Sequence, residues 1–218
     1  MGRINIRDLV QKSVIFYSSQ NWTVPPGVYK IKILTYGAGG GGGGGYSSTY
    51  TGGGGGAGGA AYAEVAVTPG STVNITVGAG GSGGAGGASP TAGGSGGFTS
   101  VNISGVSVCA AWGGGGGGAA SSTANGSNGG GGSGFNPNMA SGTAAVILKT
   151  YALAGPGGNG TGVATPNLFA PSLTGSANMV IFGGTPSQTI AEGGGGGGVN
   201  ENGQAGGPGL VVIWWGDD

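Results

Sequence analysis

Side chains able to do acid–base or nucleophilic chemistry are scarce in this chain. It has no histidine, and its carboxylates, Asp8, Glu64, Glu192, Glu201, Asp217 and Asp218, show no paired spacing that would set one as general acid against another as base. Cys109 is the single cysteine. Without a His or a second Cys it lacks a base to activate it, a disulfide partner within the chain and a co-ligand for a metal. Matches to the dinucleotide pattern GxGxxG are numerous, but any glycine run contains them, and no Gly-Lys-Ser/Thr follows. A phosphate cradle is not read from them. The sequence therefore predicts a protein that is not an enzyme, with no catalytic residue, no cofactor and no metal.

What remains is recognition. Short segments interrupt the glycine runs: Tyr46 to Tyr50, residues 119–128 with Asn125, residues 135–139 with Phe135, Asn136 and Asn138, residues 161–177 with Phe169, and residues 199–202 with Asn200 and Asn202. Tyr and Asn in short loops supply rigid apolar faces and adaptable hydrogen bonds, which suits contact with a glycan or a protein surface. The plainer role for Tyr46 and Tyr50 is to cap a bundle of glycine segments against water.

The elements that must position such loops have to be built from an unusual composition. Of 218 residues 62 are glycine, against a usual share of about 7%. Six basic and six acidic residues leave a formal net charge of zero, so steering of nucleic acid is not expected. Collagen requires Gly at every third position with abundant Pro, whereas this chain has unbroken runs such as Gly39 to Gly45 and only 10 Pro. With 37% hydrophobic residues it does not fit charge-driven disorder either. No window approaches the roughly 18 apolar residues of a membrane span, and the start lacks the apolar stretch of a secretory signal. A soluble protein outside the general secretory route is expected.

Apolar segments alternate with the glycine runs: 28–36, 60–67, 72–77, 98–103, 106–112, 144–151, 178–182 and 210–215. They are rich in β-branched and aromatic residues and bounded by Gly, Pro, Asn or Ser, which predicts strands. Lys30 and Lys32 alternate with Ile31 and Ile33, so one face is expected buried and one wet. VTPGSTV (67–73), with Pro69 and Gly70, reads as a tight hairpin turn. Residues 1–20 differ in composition and read as an attachment segment, a short helix or an extended arm, with Ile4, Ile6, Leu9 and Val10 as its docking side chains; residues 21–218 form the glycine-rich domain.

A lone glycine run stays disordered, because ordering costs about 1–2 kcal/mol per residue and a net hydrogen bond returns about 0.5–1.5. Packed against other runs, a helix with three residues per turn points its N–H and C=O groups outward, and without Cβ atoms neighbours approach from every side. The backbone itself then becomes a core, and a Cβ placed there, as in Gly116→Val, clashes.

The stretch VIFYSSQNWTVPPGVYKIKILTYGAGGGGGGG (14–45), carrying Trp22, Thr23, Val24, Pro25, Gly27, Val28, Gly37, Ala38 and Gly39 to Gly45, resembles the opening of the glycine-rich domain of viral, phage-type tail-fibre adhesins and receptor-binding proteins. VTPGSTVNITVGAGGSGG (67–84) is similar to that domain's second hairpin, and GQAGGPGLVVIWW (203–215) to its closing strand. The resemblance implies an all-β fold, a small β-sandwich-like scaffold joined to a bundle of polyglycine-II helices, with no helix except in the N-terminal arm. It also implies a tail-fibre or tail-tip protein of the virion whose loops meet a host-surface receptor, glycan or protein, while residues 1–20 engage other tail or fibre proteins; a homo-oligomer is compatible with this. The alternatives are a purely structural tail or appendage subunit and, lower, an ice-binding or cell-surface glycine-helix protein, for which the ordered Thr spacing is absent.

Overall fold

A computed structural model describes residues 12–135, 146–153 and 194–216. Ten strands form two antiparallel sheets, with no helix among the described residues. They are β1 (Lys12–Phe16), β2 (Gln20–Thr23), β3 (Lys30–Tyr36), β4 (Ala60–Ala66), β5 (Thr72–Thr76), β6 (Thr99–Ile103), β7 (Val106–Ala111), β8 (Gly134–Phe135), β9 (Val146–Leu153) and β10 (Leu210–Trp215). Sheet A has the order β1-β10-β3-β4-β9 and sheet B the order β2-β5-β6-β7-β8. The all-β expectation holds. The segment 178–182 and the attachment residues Ile4, Ile6, Leu9 and Val10 lie outside the described residues.

Period-two patterning drives the two sheets together. Ile31, Ile33, Ala61, Ala63, Val65, Val211 and Ile213 of sheet A pack against Val73, Ile75, Val101, Ile103, Val108 and Cys109 of sheet B, all buried. Each buried Val or Ile contributes about 1.5–3 kcal/mol, so this interface is the conventional core. A second cluster, Leu34, Tyr36, Tyr62, Leu210, Val212 and Trp214, is buried on the other face of sheet A. The expected wet face therefore ends at Lys32: from Leu34 to Tyr36 β3 is buried on both sides. The other face of β5 stays exposed at Thr72, Asn74 and Thr76, alternating with the buried Val73 and Ile75 as strand geometry requires.

Three strands escape the sequence reading. β1 pairs with β10 from Lys12↔Trp215 to Phe16↔Val211, β2 pairs with β5, and the two-residue β8 pairs with β7. The Pro69-Gly70 segment is a tight turn, closed by Ser71 N–H on the Thr68 carbonyl at 3.1 Å with Gly70 at φ 81°. It is not a hairpin: β4 belongs to sheet A and β5 to sheet B, so the turn carries the chain across the sandwich. The true two-residue hairpin joins β6 to β7 through Ser104 and Gly105, both at positive φ, the geometry that matches strand twist.

From the sheets the glycine runs project in one direction. Residues 37–45 leave β3 and 52–59 return to β4; 78–87 leave β5 and 91–97 return to β6; 113–120 leave β7 and 126–132 lead back to β8; 203–209 lead into β10. The run 37–45 is buried throughout. Its N–H groups serve three neighbours in rotation: Gly37, Gly40 and Gly43 donate to Gly59, Gly56 and Gly53; Ala38, Gly41 and Gly44 to Gly97, Gly94 and Thr91; Gly39, Gly42 and Gly45 to Gly207, Gln204 and Glu201. Its carbonyls accept with the same period of three, Gly39, Gly42 and Gly45 from Gly81, Gly84 and Gly87, Ala38, Gly41 and Gly44 from Gly114, Gly117 and Ala120, and Gly40 and Gly43 from Gly194 and Gly197. These bonds measure 2.7–3.1 Å.

Register makes the three donating contacts antiparallel and the three accepting contacts parallel, so six segments of alternating direction surround the central run. The ring closes on itself: Gly53 bonds Gly118, Gly96 bonds Gly114, Gly94 bonds Ser82, Gly206 bonds Gly81, Gln204 bonds Gly195 and Gly55 bonds Gly194. Side chains obey the same period. In 78–85, Gly78, Gly81 and Gly84 face inward and are buried, while Ala79, Ser82 and Ala85 point to solvent. At most interior positions an added Cβ would run into a neighbouring backbone carbonyl, as at Gly40 against Gly115 or Gly43 against Gly118.

Candidate functional site

Each glycine excursion ends in a short loop, and the register brings these loops to one end of the molecule. Tyr46 forms a parallel bridge with Gly87, its N–H donates to the Tyr50 carbonyl at 2.8 Å, and its carbonyl accepts from Asn200 N–H at 3.1 Å. The 199–202 loop is a tight turn closed by Glu201 N–H on the Gly198 carbonyl at 3.0 Å, with Asn200 at φ 62°, a left-handed conformation that Asn tolerates. The 121–125 loop follows Ala120, whose N–H reaches the Gly44 carbonyl at 3.0 Å. Ser121 folds that loop by accepting from the Ala124 N–H at 3.0 Å through its Oγ.

Two of the candidate asparagines stitch the loops together. The Asn125 Oδ1 accepts from Thr51 N–H at 2.9 Å, and the Asn202 Oδ1 accepts from Gly86 N–H at 2.8 Å. Both occupy backbone donors where the period-three pattern runs out. Ser47, Ser48, Thr49, Ser122, Thr123 and Asn200 are exposed around them, with Tyr46 and Tyr50 half-buried.

Tyr46, Tyr50, Asn125, Asn200 and Asn202 thus share one end of the bundle. Phe135 does not join them: it lies in β8, opposite Ala110, because the chain has by then returned to sheet B. Asn136, Asn138 and Phe169 lie outside the described residues. Ser121, Ser122 and Thr123 fall inside the 119–128 loop that the sequence singles out, where Asn125 is the residue named. The short polar break between two glycine runs is their only signal, and it carries no aromatic.

The end cluster offers hydroxyls, amides and two phenol rings, with Glu201 as its acidic group. Among the described residues no three His, Cys, Asp or Glu side chains come together as metal ligands, and no helix is long and apolar enough to cross a membrane. Cys109 sits far from the loops, in the sandwich core, with its Sγ 3.4 Å from the Ala61 carbonyl and 3.5 Å from the Thr35 Oγ1; burial pushes its pKa up to about 12.

No curated protein matches the chain. The model of one family, described as a glycine-rich domain, matches residues 16–216, a span that takes in β2 to β10 and every described glycine run, and the chain belongs to that glycine-rich domain family.

Proposed function

We propose that this protein is a non-enzymatic receptor-binding protein of a virion tail fibre or tail tip, in which a bundle of polyglycine-II helices holds polar loops, with Glu201 as their acidic group, toward a host-surface receptor. The observation that carries the reading is polarity. Lys12 and Trp215 are paired neighbours at the end of sheet A remote from the glycine runs, since β3 enters its run at Gly37 and β10 leaves the bundle at Leu210. The loops at Tyr46–Tyr50, 121–125 and 199–202 lie at the opposite end. A protein attached through residues 1–20 would present those loops outward. The period-three exchange of hydrogen bonds supports the polyglycine-II assignment, because three residues per turn aims successive N–H groups at three different neighbours.

The resemblance of residues 14–45, 67–84 and 203–215 to tail-fibre adhesins supplies the virion setting. The test replaces Ser47, Ser48, Thr49, Ser122 and Thr123 by glycine, leaving the stitching residues Asn125 and Asn202 in place. The unaltered protein is expected to bind host cells and to compete with infection, and the replaced protein to melt as before and do neither. Unchanged competition by the replaced protein would overturn the reading in favour of a structural appendage subunit, which instead predicts that deleting residues 1–13 abolishes incorporation while loop changes leave host range intact.

A further inference from the structure

The outer faces of the two sheets differ in kind. Beyond Lys32, toward the glycine runs, that of sheet A is apolar and buried, whereas that of sheet B is polar, exposed at Asn21, Thr23, Thr72, Asn74 and Thr76 and buried at Ser100. On sheet B, Asn21, Asn74 and Asn102 stand in register across β2, β5 and β6. Thr23 pairs with Thr72 on one side of this row and Thr76 with Ser100 on the other. The side chains are held in place before any ligand arrives: Asn74 Nδ2 donates to Asn21 Oδ1 at 2.8 Å, and Asn102 Nδ2 to Ser100 Oγ at 3.3 Å.

Period two then sets Phe98, Ser100 and Asn102 on the same face, and an aromatic pair closes the strip. The Phe98 and Trp112 rings are 4.7 Å apart between centroids, and Trp112 is 51% exposed. From residue 98 to residue 102 the strip runs about 13 Å along the strand.

We propose that this strip is a binding site for a neutral polysaccharide, distinct from the loops at the far end of the bundle. The Trp112 face offers a rigid apolar surface to the C–H face of a sugar ring, at the cost of few rotatable bonds. Asn21, Asn74, Asn102, Thr72 and Thr76 present both donors and acceptors to sugar hydroxyls. Ordering the three asparagines costs little on binding, because Asn21 and Asn74 already hold each other and Asn102 is held by Ser100. No charged residue lies on the strip, so an anionic glycan or a nucleic acid finds no counter-charge there.

The test is native gel electrophoresis of the full chain through soluble starch, mixed-linkage β-glucan, galactomannan and xylan, with heparin as the anionic comparison. At least one neutral polymer is expected to retard the protein. Trp112→Ala should raise the apparent Kd on the order of tenfold and Asn74→Ala by a smaller factor, while Tyr29→Ala, which removes an exposed ring elsewhere (67% exposed), should have no effect. Far-UV circular dichroism and melting confirm that each variant is folded, and Asn74→Ala keeps the test decisive if Trp112→Ala is not. Retardation by none of the four neutral polymers, or by heparin alone, overturns the proposal. So does retardation that survives both substitutions, or a concentration-dependent dimer that Trp112→Ala dissolves, which would make the strip a contact between copies.

Discussion

At the scale of single residues, the bundle divides glycines that look alike in the sequence. A Cβ on Gly116 would be driven into the Gly93 carbonyl, whereas one on Gly130 meets nothing within 4 Å. Gly116→Ala should therefore lower stability by several kcal/mol, comparable to severe overpacking. Gly130→Ala should leave it unchanged or raise it by about 0.4–1 kcal/mol through the unfolded chain; equal melting temperatures for the two variants would contradict the packing described. The clash expected for an interior glycine is met at Gly116 and does not extend to the exposed Gly130; nothing in a glycine run marks its outer members. Cys109 gives a second residue-level test. Its pKa is raised from 9.0 to about 12 by burial, against smaller opposing effects from Thr35. The unfolded chain thus loses the thiol proton first, and the stability this group contributes is complete below pH 9 and declines as pH rises toward 12. Thiol-reagent labelling of the native protein should stay slow through pH 9, and Cys109→Ala should flatten the alkaline fall in stability.

Elements were legible where side chains announce them. The alternation around Ile31 and Ile33 found β3, the β-branched segment 72–77 found β5, and LVVIWW found β10 from Leu210 to Trp215. β2, with the sequence QNWT, has one apolar residue in four and is a strand only because β5 offers a partner edge. The Pro69-Gly70 turn was visible but its role was not, since local turn chemistry is the same whether the next strand stays in the sheet or changes sheets. Among the candidate loops, position in a break between glycine runs located Tyr46, Tyr50, Asn125, Asn200 and Asn202; the register that gathers them depends on backbone hydrogen bonds that leave no side-chain trace. The run 37–45 has every N–H bonded and is buried, while Gly130 and Gly131 of the outer run are exposed. Hydrogen exchange should rank them accordingly: amides of 38–44 exchange only through global unfolding, and those of Gly130 and Gly131 orders of magnitude faster through local opening. Comparable rates in the two runs would show that the central run is not the bundle's core.

For the whole molecule, the two cores have opposite thermodynamic signatures. Unfolding the sandwich exposes apolar side chains such as Ile31, Val65, Val101 and Ile213, which raises the heat capacity by about 0.45 cal/K/mol per Å². Unfolding the bundle exposes mainly peptide groups, which lower it by about 0.26 in the same units. An excursion such as 37–59 leaves and re-enters paired strands, here β3 and β4, so one core has no means of melting while the other stays in register. Calorimetry should accordingly show a single transition whose heat-capacity change per residue falls well below the usual range of about 12–15 cal/mol/K. A small heat-capacity change flattens the dependence of stability on temperature, so cold denaturation should be displaced to lower temperature than in an ordinary sandwich. Two resolved transitions would mean that the glycine bundle and the sheets fold separately. A heat-capacity change of ordinary size would mean that apolar burial, and not the backbone, holds the glycine runs together.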